Sequence, residues 1–243
     1  RRHFHFGAWA DPGEVSEDPA DSILAMDRLC QHLIQLAEIR NGQDVLDVGC
    51  GFGGTLATLD EQFSPMRLTG LNIDARQLDI ARTRLAPRLG NCLELVVGDA
   101  CTMDFADASF DRILAIECIF HFPSRLSFFE HVQRVLRPGG NLTLTDFLQP
   151  EGAPEGLFDN TDSDFWGPYT AIDLQAYREL ADRVGLVLTQ HQDISPHVRP
   201  TYHFFGQLLG RHFPEAEEAT RIGQFIMDVG GVGYWTLRFD RKE

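Results

Sequence analysis

The chain has 243 residues, of which 43% are hydrophobic, enough for one large α/β domain with a smaller insertion or cap. Its formal net charge is -15, so its surface repels phosphate backbones and nucleic acid is a poor partner. The five cysteines lack C-x-x-C spacing, which argues against a disulfide framework and against a zinc site. We therefore expect no metal centre.

Membrane insertion and secretion are not indicated. No apolar stretch approaches the roughly 20 residues needed to cross a bilayer, so we predict no membrane span. The N-terminal residues carry charge without an apolar segment and are not typical of a signal peptide. Free cysteines in apolar runs favour a reducing, cytoplasmic setting. The sequence also allows a homo-oligomer.

Hydrophobic periodicity predicts strands that alternate with helices along the chain. The predicted helices are 21–36, one beginning at 55, 74–85, 126–136 and 173–185, with a helical or mixed segment at 202–229. The predicted strands are 44–48, 66–73, 93–97, 112–119, 141–147, 186–193 and 234–240. This order indicates a single domain over residues 1–243, with a doubly wound, mostly parallel, seven-stranded Rossmann-like sheet and helices on both faces.

Two aromatic-rich segments, 149–170 and 197–231, fall outside this alternation. They predict a partial cap over the carboxyl ends of the strands, where ligands bind in such sheets. An ordinary aromatic core beneath loops is the alternative.

The most informative motif is the run from Val45 to Gly54, in which a predicted apolar strand containing Asp47 is followed by a glycine-rich loop and then by a helix. Glycine permits the left-handed turn and the close approach of a ligand to the main chain. A nucleotide-like ligand is expected at such a loop. By itself, the loop is equally typical of an NAD enzyme.

Polar residues follow the next two strands. Asn72 lies where a doubly wound nucleotide binder places the residue that holds a ribose, and its amide can both donate and accept. Asp99 can accept a hydrogen bond from an exocyclic adenine amine, and the backbone of Ala100 can donate to a ring nitrogen. The dinucleotide fingerprint G-x-G-x-x-G is not met, because the third glycine comes one residue early.

The segments Val45–Gly51, Gly98–Ala100, Ser109–Asp111 and Leu136–Gly140 resemble the ordered motifs of class I S-adenosylmethionine (SAM)-dependent methyltransferases. The resemblance implies SAM as cofactor and a small molecule as methyl acceptor. The residues that it implies in cofactor binding are Trp9, Asp47, Gly49, Cys50, Gly51, Gly53, Asn72, Ile73, Gln77, Asp99, Ala100 and Glu117.

The segments 117–123 and 145–147 are similar to those of natural-product methyltransferases, particularly sugar O-methyltransferases of the rebeccamycin type. That similarity implies His121 and Asp146 as a catalytic pair. Residues 4–9 resemble the lid of the same group and imply an N-terminal lid over residues 1–20, although Ala8 replaces the usual tyrosine.

A neutral hydroxyl is a poor nucleophile, and a histidine at a strand end can remove its proton near neutral pH. We therefore expect O-methylation of a bulky, hydrophobic metabolite, with His121 as general base. Alternatives are N- or C-methylation of a similar metabolite, an NAD(P)-dependent reductase, and a non-enzymatic SAM-binding subunit.

Overall fold

The structure is a computed structural model that describes residues 3, 5–13, 18–154, 156–159, 170–202, 204, 220–221, 224–225, 227–228 and 231–242. Much of the two predicted cap segments, including residues 160–169 and 205–219, lies outside the described residues. The helices whose bounds are described are α1 (Pro19–Leu36), α2 (Gly54–Gln62), α3 (Ala75–Arg84), α4 (Arg125–Val135), α5 (Leu174–Val184) and α6 (Ser195–Val198). The strands are β1 (Asp44–Val48), β2 (Arg67–Asn72), β3 (Cys92–Val97), β4 (Phe110–Ala115), β5 (Leu136–Leu148), β6 (Leu186–Asp193) and β7 (Gly233–Arg241).

The strands form one seven-stranded sheet in the order β3-β2-β1-β4-β5-β7-β6. The first five strands pair in parallel, and β7 runs antiparallel to both β5 and β6. The predicted mostly parallel, doubly wound sheet is confirmed. Because the chain order reverses between β1 and β4, a crevice opens at the carboxyl ends of these two strands.

Helices cover both faces of the sheet with apolar side chains. On one face, Leu56 and Leu59 of α2 and Leu78 of α3 are fully buried in a cluster with β1 and β2. On the other face, Phe129 of α4 and Tyr177 of α5 are fully buried against β4 and β5. Burying each such side chain contributes about 1.5–3 kcal/mol to the stability of the fold. This packing on both faces holds the strands, and therefore the loops at their carboxyl ends, in position.

One strand is shorter than its apolar sequence predicts. We expected a strand over 112–119, but β4 ends at Ala115. Glu117 has a positive φ of 53°, which a β-strand cannot accommodate, and Ile119–His121 form a 3-10 turn instead. Residues 116–121 therefore leave the sheet and border the crevice.

Among the described helices, none is long and apolar enough to cross a membrane. The cytoplasmic setting and the homo-oligomer stay predictions.

Candidate functional site

The glycine loop joins β1 to α2 at the crevice. Gly49, Gly51 and Gly53 all have a positive φ, of 67°, 53° and 78°. The amides of Gly49 and Cys50 both donate to the carbonyl of Leu71 at the end of β2, at 2.8 and 3.1 Å. These bonds bend the loop back over the sheet edge, so that its backbone can face a ligand.

Gly49 has no space for a side chain. A Cβ atom there would lie 2.6 Å from Cβ and 2.9 Å from Sγ of Cys118. The loop after β1 therefore packs directly against the turn after β4. Cys50, the next residue of the loop, is buried in the cluster with Leu56 and Leu68, and burial, followed by the charge of Asp47, raises the pKa of its thiol. The thiol is thus an unreactive packing group, and only the backbone of Cys50 can serve a ligand.

Asn72 organises the loop through its side-chain amide. Its Oδ1 accepts from the amide of Gly51 at 3.3 Å, and its Nδ2 donates to Oε1 of Gln77 at 3.1 Å. The structure thus brings these predicted site residues together. A direct bond from Asn72 to a ribose stays a prediction, because the protein already uses both ends of its amide. The next residue, Ile73, is 74% exposed at the same edge and offers an apolar surface.

Asp99 and Ala100 lie at the end of β3, on the same edge of the sheet. Oδ1 of Asp99 accepts from the amide of Cys101 at 2.8 Å and caps a 3-10 turn that begins at Ala100. The carboxylate therefore has a fixed position near the loop, and Ala100 is buried beside it. Their contact with an adenine stays a prediction.

Asp47 is a buried acid with an unsatisfied oxygen. Its side chain lies near the end of β1, the residue is 2% exposed, and Oδ2 has no hydrogen-bond partner. Burial raises the pKa of Asp47 to about 8. Such an orphan acceptor is costly unless a ligand satisfies it, and a cationic ligand group would do so most effectively.

The N-terminal segment lies against the turn after β4 and against α1, where the amide of Ala8 donates to the carbonyl of Ala25. The amide of Phe6 donates to Oε1 of Glu117 at 2.7 Å, and the hydroxyl of Tyr234 donates to the same oxygen at 2.6 Å. Burial raises the pKa of Glu117 to about 7, although these two bonds oppose the rise. Glu117 thus ties the segment to the turn after β4, and the movement of a lid stays a prediction.

Trp9 packs away from the glycine loop. It is buried in a cluster with Ala25 and Met26 of α1 and with Phe204. Its indole N–H donates to Oγ1 of Thr201 at 2.9 Å. These contacts indicate that Trp9 anchors the N-terminal segment. A direct contact of Trp9 with the cofactor stays a prediction.

His121 ends the 3-10 turn after β4 and is exposed at the crevice. Its ring lies 4.4 Å from that of Phe120, and the ring of Phe120 lies 5.4 Å from that of Phe147. The rings of Phe120 and Phe147 form an aromatic wall beside the exposed imidazole. An imidazole in this position suits a base that must reach a hydroxyl on an apolar acceptor.

Asp146 is fully buried near the end of β5. Its Oδ2 accepts from Nη2 of Arg125 at 2.9 Å and from the hydroxyl of Tyr177 at 2.5 Å, and its Oδ1 accepts from the amide of Phe147. The predicted direct pairing with His121 stays a prediction, since the bonds described for this carboxylate run to other groups.

Sequence reasoning missed Arg125 and Tyr177. The arginine opens α4 after the capping residue Ser124, and the tyrosine looked like an ordinary inward-facing position of α5. A buried acid near the end of β5 was the available signal, because such a charge requires a cationic partner.

Known proteins resemble this chain over most of its length. A family model described as a methyltransferase domain matches residues 46–144. The methyltransferase GfsG of Streptomyces halstedii is 34% identical over 201 residues, which cover 81% of this chain and 70% of the relative. The 27-O-demethylrifamycin SV methyltransferase of Amycolatopsis mediterranei is 30% identical over 237 residues, which cover 94% of this chain and 82% of the relative.

A solved structure shares the fold. The geranyl diphosphate C-methyltransferase of Streptomyces coelicolor, determined with S-adenosylhomocysteine, superposes with a TM-score of 0.75 at 18% identity, over 98% of this chain and 93% of that one. The glycine loop, the sheet order and the two relatives agree on the cofactor, which is SAM, and the NAD(P)-dependent reductase is set aside. The chain belongs to the class I SAM-dependent methyltransferases.

Proposed function

We propose that this methyltransferase transfers a methyl group to a hydroxyl of a bulky, hydrophobic metabolite of secondary metabolism, with His121 as general base. The observation that carries the proposal is an exposed imidazole at the crevice, next to the ring of Phe120, which in turn packs against the ring of Phe147. The relative from Amycolatopsis mediterranei, whose name specifies methylation of 27-O-demethylrifamycin SV, supports O-methylation of a metabolite.

The residues of the crevice fit the cofactor. The unsatisfied Oδ2 of Asp47 can accept from the ammonium of its methionine part, and Gly49, Gly51 and Gly53 leave main chain that no Cβ atom shields from a ligand. The cofactor supplies an electrophilic methyl group when bound. His121 accepts the proton that the acceptor hydroxyl loses, and the aromatic wall holds the acceptor and limits water.

The runner-up is methylation of a nitrogen or a carbon. The solved C-methyltransferase with this fold shows that the architecture accommodates such chemistry in that protein. An amine that binds in its neutral form needs no base, so His121 would then be dispensable.

The test is radiolabelled methyl transfer from SAM to a panel of polyketide alcohols, glycosides, phenols and matched amines. We expect alcohols or phenols to be methylated, and His121→Ala to lower kcat by about 10²- to 10⁴-fold between about pH 6 and 8. His191→Ala is the control, because His191 is exposed on β6 and contacts Arg178. Methylation of amines alone, or full kcat in His121→Ala, would contradict the proposal.

A further inference from the structure

The buried ion pair of Arg125 and Asp146 lies between β5, α4 and α5. The two side chains are 8% and 0% exposed, and Nη2 of Arg125 is 2.9 Å from Oδ2 of Asp146. Burial disfavours the charge of Arg125, but Asp146 and Tyr177 outweigh burial and raise its pKa. Asp146 therefore acts as the counter-ion that makes a buried guanidinium tolerable.

The other side of the guanidinium holds Thr170. Nη1 of Arg125 donates to Oγ1 of Thr170 at 2.6 Å, and Nη2 donates to the carbonyl of the same residue at 2.7 Å. These bonds are charge-assisted, and together they fix both the side chain and the backbone of Thr170. The segment is fixed again two residues on, where Ile172 bridges to Leu148 of β5.

Thr170 in turn reaches the turn that carries the candidate base. Its amide donates to the carbonyl of Phe120 at 3.3 Å, and Phe120 is the residue before His121. The local bonds of this 3-10 turn, such as that from the amide of His121 to the carbonyl of Cys118, have the poorer geometry of such turns. The hydrogen bond from Thr170, which lies outside the turn, therefore contributes to the position of the imidazole.

We propose that Asp146 acts on His121 indirectly, by fixing Arg125, which clamps Thr170, whose amide holds the backbone of Phe120 beside the imidazole. Asp146, Arg125 and Thr170 are then positioning residues. In this proposal a relay of hydrogen bonds takes the place of the direct catalytic pair that the resemblance to rebeccamycin-type enzymes implies. The catalytic consequence rests on the proposed role of His121 as base, whereas the positional consequence does not.

Alternation along β5 supports the indirect route. Asp146 shares its side of the strand with Leu144 and Leu148, which are buried in the cluster covered by α4 and α5. Phe147, on the opposite side, packs with Phe120, the neighbour of His121. The carboxylate and the aromatic wall of the crevice thus face opposite sides of the sheet.

The test uses Thr170→Val, because removing Asp146 or Arg125 would leave a buried charge unpaired and could prevent folding. Valine deletes the acceptor of Nη1 and keeps nearly the same shape, and Thr170→Ser restores the hydroxyl. Tyr177→Phe is the matched control, since it removes the hydroxyl that bonds to both members of the ion pair but keeps the bonds from Arg125 to Asp146 and to Thr170. All variants are made in the full chain.

The first readout is the NMR signal of the His121 ring in histidine-labelled protein, assigned with His121→Asn. We expect the signal to shift and broaden in Thr170→Val, to return in Thr170→Ser and to stay unchanged in Tyr177→Phe. An unchanged signal in Thr170→Val overturns the relay, as does an equal change in Tyr177→Phe. This measurement needs no acceptor, so its result is independent of the proposed function.

The second readout is turnover with the panel alcohol that reacts fastest. We expect Thr170→Val to lower kcat about tenfold, with the affinity for S-adenosylhomocysteine unchanged. In a His121→Ala background the same substitution should have no further effect. A persistent effect there overturns the relay, whereas full activity of His121→Ala alone overturns only the base assignment.

Discussion

Replacing Glu117 with glutamine should change how the stability of the protein depends on pH. The carboxylate is largely buried and accepts hydrogen bonds from the amide of Phe6 and the hydroxyl of Tyr234. Glutamine keeps an oxygen for both donors but cannot be ionised. The variant therefore isolates the free energy of ionising a buried acid, with little change in packing.

The expected magnitude follows from the pKa of Glu117. Burial raises that pKa from 4.5 to about 7, so the folded state binds a proton more tightly than the unfolded state. The stabilisation by this group is fully present below pH 4.5 and is lost as the pH rises through about 7. Since one pKa unit corresponds to about 1.4 kcal/mol, the parent should gain at most about 2 kcal/mol of unfolding free energy between about pH 8 and 5.5.

The assay is urea denaturation of the parent and of Glu117→Gln at both pH values. Subtracting the two unfolding free energies at each pH removes the titration of Asp47, whose pKa burial raises to about 8 in both proteins. We expect the parent to lose about 2 kcal/mol relative to the variant on going from the lower to the higher pH. A constant difference, or one of opposite sign, would show that this carboxylate is solvated and does not anchor the N-terminal segment as described.

Two further substitutions test the glycine loop and the buried acid. Gly49→Ala should destabilise the fold by about 2–4 kcal/mol, because it combines an unfavourable φ with a clash against Cys118. Gly42→Ala is the control: its φ is 86° with no atom within 4 Å, so it should cost only about 1 kcal/mol and leave the affinity for S-adenosylhomocysteine unchanged by calorimetry. Asp47→Asn should weaken that affinity about tenfold or more, because an amide cannot become the carboxylate that would pair with the ammonium of the cofactor in the proposed contact, and an unchanged Kd would refute this role.

The sheet could be predicted from sequence because its signals are local. Alternating apolar strands and helices, the glycines after β1 and the caps at Asp74 and Asp173 each act within a few residues. The end of β4 was not predictable in this way. Its apolar sequence continues to Ile119, but the chain turns at Glu117, whose backbone amide donates to Oγ1 of Thr145 and whose side chain accepts from the hydroxyl of Tyr234. Both partners are distant in sequence.

The hydrogen-bond partners of Asp146, Arg125 and Tyr177, could not be predicted from local signals either. Residues that follow neighbouring parallel strands lie at one edge of the sheet, and this made a pair with His121 a reasonable hypothesis. The position of a residue at the edge of the sheet does not decide on which face of the sheet its side chain lies. That depends on the pleat of β5 and on which helices cover each face, and here it places Asp146 on the side of Arg125 and Tyr177.

The same turn offers a carboxylate and an imidazole, and their surroundings decide which of the two is the better base. Glu117 has a raised pKa near neutrality, which would suit proton transfer, but its Oε1 is held by two donors and the residue is largely buried. His121, four residues on, is exposed at the crevice beside an aromatic wall. A base must come within hydrogen-bond distance of the hydroxyl before its pKa matters. Accessibility therefore favours His121 as the proton acceptor and leaves Glu117 to hold the N-terminal segment against the turn after β4.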